Sequence, residues 1–126
     1  MSGRGLRLKF LQSRNGKATK YGAIRTVVDG VSFASGKEAR MYASLRFLEK
    51  RGKITDLKLQ PRIKLSAGGV HICDYVGDFF FIPREPMYDH AAFEPVYMDV
   101  KGFITPVYQL KKKLVLALTG IAIVET

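Results

Sequence analysis

Cysteine is nearly absent: Cys73 stands alone in 126 residues. That excludes an internal disulfide and a cysteine-based zinc cluster. Histidine is scarce too, with only His71 and His90, so a zinc site is not expected. No apolar run approaches the roughly 18 residues that mark a membrane span. The opening stretch, Met1 to Lys20, lacks the apolar segment of a secretory signal. These absences predict a cytoplasmic protein that does not enter a membrane. Acid is also in short supply. Eleven Asp and Glu face 21 Lys and Arg, giving a net charge of +10. A chain this basic is a candidate for binding nucleic acid, because clustered cations displace counterions from phosphates. Charge names a partner class and no chemistry.

What is present suits one domain with one core. Six cations, Arg4, Arg7, Lys9, Arg14, Lys17 and Lys20, fall in the first twenty residues, and no acid occurs before Asp29. Residues Met1 to Lys20 therefore read as a basic arm, either ordered on DNA or a solvated tail. The segment from Ala23 to Phe33 reads as a hairpin around Asp29-Gly30. A helix is predicted from Gly36 to Arg51, with Ser35 as cap, Gly52 as terminator and Met41, Tyr42, Leu45 and Leu48 as its apolar stripe. Asp56 to Leu65 and Val70 to Ile82 read as two strands, Val96 to Phe103 as a third, with a proline-rich loop before it. Thr105-Pro106 opens a second helix whose inner stripe is Val107, Leu110, Leu114, Ala117 and Leu118. Gly120 ends it, and Ile121 to Val124 is a last short strand. No internal repeat and no linker divides the chain after Lys20. The fold class expected is α/β, with a mixed central sheet flanked by helices and an N-terminal hairpin.

Three acids sit where the core belongs. Alternation places Asp78 on one strand face with Ile72, Val76, Phe80 and Ile82, where a carboxylate is costly without a partner. Asp74 shares that face and competes for any role given to Asp78. Asp99 and Lys101 are two apart on a strand and point to one face, with Val96, Met98 and Val100 on the other. Such a pair can bind a metal and position a water. Glu38 stands in register with Tyr42 and Leu45, yet Ser35 and Glu38 also spell a capping box. Both readings of Glu38 stand at this point. The twenty residues between Asp78 and Asp99 suffice for an antiparallel return, which would set them on neighbouring strands.

The ordered series Lys20 to Gly22 (KYG), Asp29 to Phe33 (DGVSF), Ser35 to Glu38 (SGKE), Leu57 to Pro61 (LKLQP), Tyr75 to Phe79 (YVGDF), Asp99 to Gly102 (DVKG) and Tyr108 to Lys111 (YQLK) resembles the PD-(D/E)XK nuclease superfamily. It is closest to a family of small phage-encoded proteins in that superfamily, long without an assigned function. The resemblance implies a restriction-endonuclease-like fold and a magnesium-dependent DNA endonuclease, with manganese as substitute. By it, Asp78 and Asp99 are metal-binding acids, joined by Glu38 and the Val100 carbonyl, and Lys101 is the catalytic lysine. Gly77 stands where the superfamily has proline, and Asp99 where glutamate is more frequent. Gln60 sits at the edge of the implied site, or is simply a strand-end turn.

For DNA contacts the sequence offers Lys111 and Lys112, a solvated face or a grip on phosphates, together with Gln60 and with Arg14, Lys17 and Lys20 of the arm. Tyr21, Tyr75, Tyr97 and Tyr108 read as core or rim residues rather than base-stacking platforms. No major-groove recognition helix is visible, which points to recognition by shape: branches, flaps or junctions, as in a Holliday junction resolvase. Nicking both strands takes two sites, so a symmetric homodimer is expected. Three rivals remain: a catalytically inactive DNA-binding protein on the same fold, an RNA-binding module, and an interaction protein whose acids are merely salt-bridged.

Overall fold

A computed structural model describes residues 25–126; the predicted arm, and Arg14, Lys17 and Lys20 with it, lie outside the described residues. The hairpin is present as β1 (Thr26–Val28) and β2 (Val31–Phe33), turning at Asp29 and Gly30 with both in left-handed backbone. Helix α1 (Gly36–Lys50) follows, and Ser35 Oγ accepts the Glu38 N–H at 3.1 Å to start it. Its buried residues Ala39, Tyr42 and Leu45 pack on Phe33, Ile54, Phe79, Phe81, Val96 and Met98. Arg51 caps its end.

The two long strands expected next are four. They run as β3 (Ile54–Leu59), β4 (Arg62–Ala67), β5 (Val70–Val76) and β6 (Phe79–Pro83). The breaks face each other. Gln60 N–H donates to the Asp78 carbonyl at 2.9 Å, and Gly77 N–H to the Pro61 carbonyl at 2.9 Å. Pro61 has no N–H to give a ladder, and Gln60 takes a left-handed φ of 54°. One long hairpin is therefore bent. Its inner half, β3 and β6, joins the main sheet, and its outer half, β4 and β5, forms a separate ribbon. The bend also corrects the predicted faces. Phe79, Phe81 and Pro83 are fully buried, while Phe80 and Ile82, the set assigned to Asp78, are half-buried.

The main sheet has the order β3-β6-β7-β8, with β7 (Val96–Asp99) and β8 (Val124–Glu125). Its first two pairings are antiparallel and the last is parallel, so the sheet is mixed. Strand β7 stops at Asp99 rather than Phe103, since the ladder with β8 ends at the Asp99–Glu125 pair. Strand β8 begins only at Val124.

Helix α2 (Pro106–Thr119) has the predicted caps: Thr105 Oγ1 accepts the Tyr108 N–H at 3.0 Å, and Gly120 is left-handed. Its inner face is not the predicted one. Tyr108 and Val115 are buried against Leu65, Tyr75 and Ile123, whereas Val107 and Leu110 are 63% and 58% exposed. The periodicity weighed aliphatic residues alone, and the helix is turned roughly a third of a revolution from that stripe. Helix α1 and its hairpin thus cover one side of β7, through Val96 and Met98. Tyr97 packs towards the cluster built by α2 and the ribbon. Among the described residues no helix is long and apolar enough to cross a membrane.

Candidate functional site

The bend delivers Asp78 to the end of β7. Asp78 N–H donates to the Met98 carbonyl at 3.0 Å, and its Oδ2 accepts the Val100 N–H at 2.7 Å. Asp99, the last residue of β7, is only 3% exposed. Lys101 Nζ lies 3.0 Å from Asp99 Oδ1. Glu38 reaches in from the first turn of α1, and its carboxyl lies beside that of Asp78. Of the two readings posed for Glu38, the cap is present in altered form. Glu38 Oε1 accepts the Ala34 N–H at 3.0 Å, a cap one residue earlier than the predicted bond to Ser35. Asp74, the competitor, is elsewhere: its carboxylate binds Arg62 at 2.7 Å and His71 at 2.8 Å on the ribbon.

Electrostatically the site is strained by its own acids. Burial first, then the hydrogen bond and charge of Glu38, push the Asp78 carboxyl up to about 7. Burial first, then the charge of Asp78, push Asp99 up to about 6, with Tyr75 and Lys101 pulling the other way. Among the described residues neither Glu38 nor Asp78 forms an ion pair with Lys or Arg.

Two tyrosines, read from the sequence only as core or rim residues, complete the site. The Tyr75 hydroxyl donates to Asp99 Oδ2. Burial and the Asp99 charge raise the Tyr75 phenol far above its ordinary value, which keeps it a donor. The Lys101 ammonium stands 3.9 Å from the centre of the Tyr108 ring. The Tyr108 hydroxyl donates to Glu125 at 2.8 Å, and Lys112 holds Glu125 at 2.9 Å. A second omission is Lys37, whose Nζ donates to the Lys101 and Thr126 carbonyls at 2.9 and 3.0 Å.

The predicted DNA contacts divide. Gln60 stands at the bend, bonded through its N–H to Asp78. Lys111 and Lys112 are half-buried and have partners within the chain, the Asp74 carbonyl at 3.0 Å and Glu125.

An all-oxygen set of crowded carboxyls fits a hard cation such as magnesium, which relieves the repulsion that protons relieve otherwise. Glu38, Asp78 and Asp99 supply the carboxyls, and the Val100 peptide lies against them. They are not a finished cage: among the described residues no three His, Cys, Asp or Glu are arranged to hold a metal ion. Both Asp99 oxygens are already engaged, by Tyr75 and Lys101.

Residues 18–118 match a family described as "Protein of unknown function (DUF1064)". No curated protein and no solved structure matches the chain.

Proposed function

The chain belongs to the DUF1064 family, whose description leaves the activity open, and from its residues we propose that it is a magnesium-dependent DNA endonuclease on a restriction-endonuclease-like fold. One observation carries the reading: Asp78 lies against Glu38 and Asp99, and Asp99 is paired with Lys101 at 3.0 Å. Asp78, Asp99, Glu38 and the Val100 carbonyl are the groups that would hold magnesium, with manganese as substitute. When bound, the cation supplies charge to polarise the scissile phosphate and lowers the pKa of a water. Lys101 orients the attacking water or offsets charge growing on the phosphate. Tyr75 keeps Asp99 in place by its hydrogen bond.

The net charge of +10 supports nucleic acid as substrate. With no groove-reading helix in the sequence, the enzyme selects DNA by shape, at branches or junctions, and a homodimer brings two sites to the two strands. The test is a cleavage panel of linear duplex, single strand, flap, four-way junction and RNA, with and without magnesium. We expect magnesium-dependent cutting of branched DNA, lost in Asp78→Ala and Lys101→Ala. Full activity in either variant rules the assignment out.

One observation favours a second reading, a DNA-binding protein of the same fold without hydrolysis: both Asp99 oxygens are taken within the protein. It predicts tight DNA binding, no cleavage with either cation, and no specific magnesium uptake by calorimetry.

A further inference from the structure

We propose that Tyr108 is a positioning residue for Lys101, its ring forming the seat on which the ammonium is held for the reaction. The inference rests on the nuclease reading and names a residue that sequence reasoning leaves in the core. Lys101 follows the end of β7, so no ladder fixes its side chain beyond the backbone bond from its N–H to Thr126. Its ammonium makes two contacts that matter: Asp99 Oδ1 at 3.0 Å and the Tyr108 ring at 3.9 Å from the centroid. A cation over an aromatic face is attracted by the ring quadrupole, more so when water is partly excluded. Here the ammonium-bearing side chain is 23% exposed and Tyr108 is buried.

Tyr108 is held at two points, and the second is braced in turn. Thr105 caps its backbone N–H at 3.0 Å. Its hydroxyl is donated to Glu125, which β8 sets opposite Asp99 in the ladder. Lys112, one turn along α2, holds Glu125 from the other side. Asp99 is a less reliable anchor. It already serves Tyr75 and Lys101, and in the nuclease reading it serves a cation as well. The other duty of the ring, packing with Leu65, Tyr75 and Ile123, does not compete for the ammonium.

The test has a readout that needs no activity. In a carbon–proton NMR spectrum of the wild-type chain, the ring current should move the Lys101 ε-methylene protons well upfield of free lysine. Free-lysine shifts in the wild type overturn the proposal. Kinetically, Tyr108→Leu should lower kcat about ten- to thirtyfold, the worth of a partly desolvated cation–ring contact, with KM nearly unchanged. Tyr108→Phe, which keeps the ring, should restore both the shift and most of the rate. A Leu variant with wild-type kcat overturns the proposal. So does a Phe variant that falls as far, because the hydroxyl would then be what matters. Should the Leu variant not fold, the wild-type shift and the Phe variant still decide. A wild-type chain that cuts nothing overturns the nuclease reading and the catalytic consequence with it, while the shift separately reports whether the ring holds the ammonium.

Discussion

Asp78 carries the most informative electrostatics in the molecule. Its folded pKa, about 7, and that of Asp99, about 6, lie above the unfolded value of 3.8 for each. The folded state therefore binds protons more tightly than the unfolded one. The stability these groups contribute is full below about pH 4 and is lost as the pH rises through 6 and 7. Without divalent cation, urea midpoints should fall between pH 5 and pH 8, by on the order of 1–3 kcal/mol in stability. Asp78→Asn keeps an acceptor for the Val100 N–H and removes the charge. It should flatten that slope, stabilise the chain at pH 8 by about 1 kcal/mol or more and, on the proposed nuclease function, abolish cleavage. A variant less stable than wild type at pH 8 would show that the Asp78 charge is compensated after all. Asp78, Asp99 and Lys101 were legible because acids in apolar strands and an Asp-x-Lys triplet are patterns in the chain itself. Tyr75 and Tyr108 were not. A buried tyrosine looks the same in sequence whether its hydroxyl meets water or Asp99, and the contact between Lys101 and Tyr108 crosses a strand end and a helix start, where no period applies.

At the level of elements, both helices and their caps could be read from the sequence, because Ser35, Thr105-Pro106 and Gly120 are local signals. The bend between ribbon and sheet could not. Gln60-Pro61 and Gly77-Asp78 are seventeen residues apart in sequence, and only their mutual hydrogen bonds turn two weak irregularities into one joint. The joint explains the glycine at position 77. Gly77 N–H is spent on the Pro61 carbonyl, and a Cβ added at Gly77 would lie 3.2 Å from the Tyr75 hydroxyl oxygen. Gly77→Pro should thus destabilise the chain by about 1–3 kcal/mol, by orphaning an acceptor and crowding Tyr75. A thermal melt checks it, and an unchanged midpoint would mean that the bend does not depend on this bond. The rotation of α2 was illegible for a related reason. The helix is apolar on more than one side, and what selects its inner face is the fit of Tyr108 and Val115 to the ribbon, a tertiary fact.

For the molecule as a whole, the proposed function requires a place where its positive charge meets phosphate. The sequence offers two clusters, the arm and the lysine run of α2, and the arm lies outside the described residues. Lys111 and Lys112 hold the Asp74 carbonyl and Glu125, so each ammonium already has an internal partner. Arg14, Lys17 and Lys20 precede the described residues and have no acid near them in sequence. Removing one cation from its phosphate flattens the dependence of log affinity on log salt by about 0.9. Replacing Arg14, Lys17 and Lys20 together with alanine should therefore reduce the slope by up to about 3 and weaken binding to all DNA shapes alike. Replacing Lys111 and Lys112 should leave the slope nearly unchanged and lower the melting temperature, because Glu125 loses its cation and Tyr108 a support. Fluorescence anisotropy on a four-way junction between about 50 and 200 mM salt separates the two. The opposite pattern, a flat response to the arm variant and a large one to the helix variant, would mean that α2 releases its lysines to the phosphates on binding and that the arm is a solvated tail.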